Sequence, residues 1–174
     1  MKEIEAKILE INRTEVEKKL VSLGGKKVFE GIIDAHSYDY PDRTIMKSKS
    51  SFRIRKENQR VVITFKKFIS NKGVKKRNEF EVEVSDFEIA KKIIEALGLK
   101  EWKHIRKKRT SYRLEGTRFE MDKYIGKLSF VPEFLEIEAK DAKTIYKQAA
   151  VLGFQKSDCK PWTTSQVIDY YSKK

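Results

Sequence analysis

The sequence predicts an α+β, strand-rich fold, and three features of the chain lead to it. The pentapeptide Glu3-Ile4-Glu5-Ala6-Lys7 recurs letter for letter as Glu136-Ile137-Glu138-Ala139-Lys140, with a looser copy at Glu79-Phe80-Glu81-Val82-Glu83. A helical stretch follows each copy and ends in the same dipeptide, Leu23-Gly24, Leu97-Gly98 or Leu152-Gly153, so the chain reads as internally duplicated strand-then-helix units. Between these units, segments near 51–56, 60–67, 109–115 and 117–124 alternate apolar and polar residues, the period of a strand with two unlike faces.

Each element has a local reason. The terminal glycines suit helix C-caps, where the left-handed backbone penalises a Cβ. Helix starts are expected at Thr14 with Glu17 and at Ser85 with Glu88, both in capping-box spacing, and at Asp141 as N-cap. Gly73 and Gly116 fall where turns are needed between strands.

A length of 174 residues with three prolines and no low-complexity tract fits one domain over residues 1–174. Ten Phe and seven Tyr supply a core despite 37% charged residues, which excludes a disordered chain. The N-terminus has no apolar signal-peptide region and no run is long enough to span a bilayer, so a soluble, cytoplasmic protein is expected. One cysteine and two histidines exclude a disulfide framework, an all-cysteine metal site and a histidine-rich one, so any metal is expected to be held mainly by carboxylates. Neither heptads nor an obvious apolar surface patch is visible, so monomer and homodimer stay open. The net charge of +13 calls for an anionic partner without choosing among nucleic acid, membrane and polyphosphate.

The strands sharpen that choice. Glu3, Glu5 and Lys7 share one face, with Ile4, Ala6 and Ile8 opposite. Arg53 and Arg55, Thr64 and Lys66, Glu79 with Glu81 and Glu83, Lys107 and Arg109, Glu120 and Asp122, and Glu136 and Glu138 follow the same rule. Alternation alone also suits an ordinary sheet with one solvated face. Two details favour a closed, charged tunnel: the signs are sorted by strand, and the basic strands use arginine. Facing clusters of carboxylates and guanidinium groups repel themselves unless a cation and an anion join them, which a metal-bound oligophosphate does. Mg2+ or Mn2+ suits such oxygen ligands, and arginine forks meet phosphate oxygens in pairs.

These motifs resemble those of the CYTH, or triphosphate tunnel metalloenzyme, family over about residues 3–154. Glu3-x-Glu5-x-Lys7 is similar to the family's opening signature. Phe52-Arg53-Ile54-Arg55, Thr64-Phe65-Lys66, Arg77-x-Glu79-x-Glu81, Lys107-x-Arg109, Asp122 and Phe134-Leu135-Glu136-Ile137-Glu138 follow in family order. The resemblance implies a tunnel of eight antiparallel strands with helices outside, and processing of a small triphosphate with Mg2+ or Mn2+. It implies Glu3, Glu5, Glu136 and Glu138 as leading metal ligands or water-orienting carboxylates, with Glu79, Glu81 and Asp122 as further ligands. Lys7, Arg53, Arg55, Lys66, Arg77, Lys107 and Arg109 would grip the phosphates, with Glu3, Glu5 and Lys7 central to catalysis. Glu83 and Glu120 are in phase but outside the matched positions and receive no role.

Within the family, hydrolysis of tripolyphosphate or a nucleoside triphosphate is the leading expectation. Cyclisation of ATP by a class IV adenylate cyclase is the alternative, although the His-Phe pair common before the opening strand is replaced here by Met1 and Lys2. A non-catalytic polyphosphate- or nucleotide-binding module is the third reading, and nucleic acid enters only as an RNA 5′-triphosphate end. His36 is expected to be structural or partly exposed, and Trp162 with Tyr170-Tyr171 to pack a C-terminal helix.

Overall fold

The computed structural model describes residues 2–174, and its centre is a closed antiparallel barrel of eight strands. In chain order these are β1 (Lys2–Ile8), β2 (Lys26–Asp39), β3 (Ser51–Glu57), β4 (Arg60–Ser70), β5 (Lys75–Val84), β6 (Lys100–Leu114), β7 (Thr117–Tyr124) and β8 (Phe134–Glu138). The helices are α1 (Arg13–Ser22), the single turn α2 (Thr44–Lys47), α3 (Phe87–Ala96), α4 (Ala142–Val151) and α5 (Thr164–Tyr171). Around the barrel the strands run β1-β5-β4-β3-β2-β6-β7-β8 and return to β1, so no sheet edge is left open among them. The α+β class and the eight-stranded closure expected from the sequence are both present.

Register explains why closure makes a charged interior. Residues directly opposed in an antiparallel pair point to the same side of the sheet. Glu3 opposes Arg77, Glu5 opposes Glu138 and Lys7 opposes Glu136. Lys66 opposes Glu79, Thr64 opposes both Arg53 and Glu81, and Arg109 opposes Asp122. Each alternating charged face is therefore continued by the next strand, and the ring of strands turns these faces inward.

The apolar faces look outward and are covered unevenly. Ile4, Ala6, Ile8, Phe119, Met121, Leu135 and Ile137 pack under Val16 and Leu20 of α1 and Ile145 and Ala149 of α4. Each such aliphatic side chain contributes roughly 1.5–3 kcal/mol when fully buried. Phe87, Ala90 and Ile94 of α3 cover Tyr38, Ile54 and Val61, while Val167 and Tyr171 of α5 pack on Tyr124 and Phe134. Phe80 and Val82 on β5 are uncovered, at 61% and 57% exposure, and Ile89, Ile93 and Leu97 of α3 also face water. These side chains stay exposed because α3 packs over Tyr38 of β2, Ile54 of β3 and Val61 of β4 rather than over the middle of β5.

The three strand–helix copies are β1-α1, β5-α3 and β8-α4. Gly24, Gly98 and Gly153 follow their helices with φ of 84°, 88° and 91°, as C-caps require. The Gly25 and Phe154 N–H groups then reach back to the Leu20 and Ala149 carbonyls, closing two of these ends. Asp141 caps α4 by accepting the Thr144 N–H. The other two starts differ from expectation: Asn12 and Asp86 accept the N–H of Glu15 and Ile89, because α1 already includes Thr14 and α3 begins one residue beyond Asp86.

Two strand regions escaped the pattern reading. β2 presents Phe29, Ile33, Ala35 and Ser37 to the interior and Asp34 and His36 to the outside, the reverse of the other strands. The first half of β6 extends the strand from the expected residue 109 back to Lys100, with pairing to β2 shifted between Ser37 and Tyr38. No helix among the described residues is long and apolar enough to cross a membrane.

Candidate active site

The barrel encloses a cavity of about 1370 Å3, above the roughly 300–1,000 Å3 of common small-molecule pockets. All the expected site residues line it except Asp122, which lies behind the surface at 0% exposure. The strand period delivers them: β1 supplies Glu3, Glu5 and Lys7, β3 Arg53 and Arg55, β4 Lys66, and β5 Arg77, Glu79 and Glu81. β6 adds Lys107 and Arg109, and β8 adds Glu136 and Glu138.

On one wall the charges are matched. Lys7 Nζ lies 2.9 Å from Glu5 Oε1 and 2.8 Å from Glu136 Oε1. Arg109 donates from Nε to Asp122 Oδ1 at 2.7 Å and from Nη2 to Glu136 Oε2 at 2.9 Å, while Lys107 also binds Asp122. Lys75 contacts Glu5 as well. Burial opposes ionisation throughout this wall; the partners outweigh it at Glu5, Lys7, Arg109 and Glu136, whereas burial leaves Lys75 and Lys107 below the usual lysine range. Lys7 and Lys75 hold the Glu5 carboxyl well below the usual carboxylate range, and Lys7 and Lys107 do the same for Glu136. The Lys7 ammonium is pushed upward in turn by Glu136 and Glu5. Glu5, Lys7, Arg109 and Glu136 are fixed ions that position one another.

Elsewhere the charges are unevenly matched. Arg53 Nε is buried without a hydrogen-bond partner, and burial followed by the neighbouring Arg55 guanidinium depresses the Arg53 pKa. Arg55 is engaged by Glu57 at 2.6 Å and Glu81 at 2.9 Å. Lys66 contacts Glu3 and lies 3.1 Å from Glu79 Oε1. Glu3 keeps a second, buried oxygen, Oε2, with no hydrogen-bond partner, and its carboxyl is raised by burial and then by Glu5. Glu138 is pushed up to about 7, first by burial and then by Glu3 and Glu120. Arg53 feels the charge of Glu3 and Glu79 without pairing through its buried Nε, and Glu3 feels that of Glu138, so an incompletely paired cation stands near a surplus of carboxylates.

A buried carboxylate oxygen lacking a donor, beside a carboxyl held near 7 by burial and by other acids, is a donor set that a divalent cation would neutralise. The residues present therefore fit a hard, oxygen-loving metal ion. Arg77 is differently placed: Nη1 donates to Asn71 Oδ1 at 3.0 Å and to the Lys76 carbonyl, and the guanidinium lies over the Phe68 ring.

Several interior residues were missed. Lys75 shares the parity of Arg77, Glu79 and Glu81 and was readable from that alone. Glu120, in phase with Asp122, pairs with Arg109 and, at 3.0 Å, with Arg118. Thr163, Ser165 and Gln166, at the start of α5, also line the cavity, and Lys103 donates to Ser165 Oγ at 3.0 Å. No strand pattern announces these. Trp162 packs with the α5 cluster and lies 5.2 Å from the Tyr170 ring, as helix packing predicts. Tyr112 is a 4% exposed core residue, packed in the cluster under α1 and α4 rather than beside the cavity's basic residues.

Comparison with known proteins gives a consistent result. The CYTH domain profile matches residues 1–152. A Methanocaldococcus jannaschii protein named as a provisional adenylate cyclase is 30% identical over 138 residues, spanning 79% of this chain and 77% of that protein. The solved structure of the PH1012 protein from Pyrococcus horikoshii OT3 superposes with a TM-score of 0.79 at 26% identity, covering 95% of this chain and 98% of its own. A Hippeastrum protein provisionally called an adenylyl cyclase, and described as having a dominant triphosphatase activity, superposes with a TM-score of 0.67. It covers 97% of this chain and 95% of its own, and at 17% identity speaks for the fold.

Proposed function

Since the chain belongs to the CYTH domain family, we propose that it is a divalent-cation-dependent phosphohydrolase that holds a small triphosphate inside the barrel. The observation that carries this reading is the buried, unpartnered Arg53 Nε beside the under-neutralised Glu3 and Glu138. A metal–triphosphate complex brings the anion that the first lacks and the cation that the others lack.

In this reading Arg53, Arg55, Lys66, Lys107 and Arg109 grip phosphate oxygens, with Arg77 contributing charge from its tethered position. Glu3 and Glu138 are the leading ligands for Mg2+ or Mn2+, followed by Glu5, Glu136, Glu79 and Glu81. Asp122, sealed between Lys107 and Arg109, acts as the anchor that aims both cations. A bound metal ion would supply Lewis acidity and lower the pKa of a coordinated water. Lys7, held by Glu5 and Glu136, stabilises charge on the transferring phosphoryl group. Water attacks the terminal phosphorus, the bridging P–O bond breaks, and the water's proton passes to a tunnel carboxylate that does not hold the cation or to solvent. Tripolyphosphate would give orthophosphate and diphosphate.

The name of the M. jannaschii relative favours one second reading, in which the 3′-hydroxyl of ATP attacks its own α-phosphorus and diphosphate leaves. Product analysis separates the two. With tripolyphosphate or ATP and Mg2+ or Mn2+, metal-dependent orthophosphate is expected. Cyclic AMP with stoichiometric diphosphate would replace hydrolysis by cyclisation, and binding without turnover would leave a polyphosphate- or nucleotide-binding module.

A further inference from the structure

The side-chain group that converges best for a metal among the described residues is outside the tunnel. Asp34, His36 and His104 offer ligand atoms that all lie within 4.8 Å of one another. The sheet builds this cluster: His36 of β2 directly opposes His104 of β6, and Asp34 lies two residues along β2 on the same outward face. The imidazole rings stack at 4.1 Å between centroids and 16° between planes. One carboxylate oxygen serves both, with Asp34 Oδ1 2.5 Å from His104 Nε2 and 3.4 Å from His36 Nε2.

We propose that these three residues form a binding site for a borderline divalent transition metal of the zinc class, separate from the tunnel. Ligand atoms around tetrahedral zinc stand roughly 3.4 Å apart, from bonds of about 2.0–2.1 Å. His36 and Asp34 already have this spacing. The Asp34–His104 pair must open by about 1 Å on the same basis, and His104, at 44% side-chain exposure, has room to swing. His36 is the fixed member, its side chain 16% exposed and its ring edge-on to Phe87. Glu101 Oε1 lies 3.1 Å from His36 Nδ1, on the side of the ring away from Asp34. The pair lies within reach but is not aligned as a hydrogen bond; a carboxylate at this distance favours the proton on Nδ1 and leaves Nε2 free to ligate, as outer carboxylates do for metal-bound histidine.

The donor chemistry distinguishes this site from the tunnel. Two imidazole nitrogens and one carboxylate suit zinc, nickel or copper, whereas an all-carboxylate set suits magnesium or manganese. Arg106 Nε, 3.5 Å from Asp34 Oδ2, and Lys91, 3.4 Å from Glu101 Oε2, offset part of the negative charge and moderate the affinity. A bound ion would clip β2 to β6, whose other faces carry Ser37, Lys103 and Ile105 into the cavity.

The chain contains only these two histidines, so its imidazole nitrogen spectrum reports the site alone. Zn2+ is titrated into metal-free, 15N-labelled full chain in the presence of excess Mg2+, and the ring resonances are followed. Both Nε2 signals are expected to move together along one saturating curve. Glu101→Gln should weaken that curve about 10- to 100-fold, and Asp34→Asn at least as much. Rings that ignore Zn2+, a response from one ring only, or a curve unchanged by Asp34→Asn would each overturn the site.

Discussion

The wall carrying Lys7, Lys107, Arg109, Asp122 and Glu136 differs from the region around Arg53, Glu3 and Glu138 in how its charges are balanced. The first is a closed set of ion pairs in which every member has a partner at hydrogen-bond distance. The second holds a cation with a free N–H and a carboxylate with a free oxygen. Desolvating a charge is costly, and a partner offsets that cost only when the pair is well made. The matched wall therefore maintains the shape of the interior, whereas the unmatched region carries a cost that a ligand would relieve. Both regions come from the same period-2 pattern, so composition alone cannot separate structural charges from candidate ligand-binding ones.

The sharpest way to break this comparison is to unpair the matched wall. Asp122→Asn leaves Arg109 and Lys107 without their shared carboxylate in a fully buried position. A loss of about 3–5 kcal/mol in unfolding free energy is expected by urea denaturation. A loss below about 1 kcal/mol would show that the wall does not depend on its pairing.

A smaller effect tests the unmatched region through pH. Because the Glu138 carboxyl is raised to about 7, the folded chain holds a proton there that the unfolded chain releases near the ordinary carboxylate value. The stability tied to that proton is complete below the unfolded value and is lost as pH rises through about 7. Glu138→Gln, neutral throughout, removes this component. Thermal melts without metal should therefore show the wild type losing a few degrees more than Glu138→Gln between pH 5 and pH 8. Added Mg2+ should restore the wild type preferentially at the higher pH, since the cation competes with that proton. Parallel pH profiles would contradict the assignment.

The smallest effect lies outside the barrel. Phe80→Ser and Val82→Thr alter exposed positions, so each should shift stability by no more than about 0.5 kcal/mol in the same denaturation assay. A cost of about 2 kcal/mol or more, the scale of a core residue, would mean that this face is covered in solution.

Much of the interior was legible because β1, β3, β5, β7 and β8 announce their inward faces by charge. β2 was not, since its inward Ile33, Ala35 and Ser37 look like a buried face and its outward Asp34 and His36 like a solvated one. The strand order was equally hidden: β1 lies between β5 and β8, a pairing set by long-range register rather than local pattern. The caps were displaced because Asn12 and Asp86 lie close to the serine and threonine signals, and either kind of side chain can accept the first free N–H. The positions of Glu3, Glu5 and Glu138 followed from strand parity. Which carboxylates would stand unmatched did not, because that depends on contacts from Lys66 and Lys75, 63 and 70 residues along the chain from the glutamates they meet.

The central claim, that the unmatched region receives a metal–triphosphate, is tested most directly by calorimetric titration of tripolyphosphate into wild type and Arg53→Ala with Mg2+ present. Arg53 joins no hydrogen bond through its buried Nε, so its removal should leave unfolding free energy within about 1 kcal/mol of wild type. Triphosphate affinity should fall about 10- to 100-fold, the value of a charge-assisted contact. Unchanged affinity in a folded Arg53→Ala protein would contradict the account.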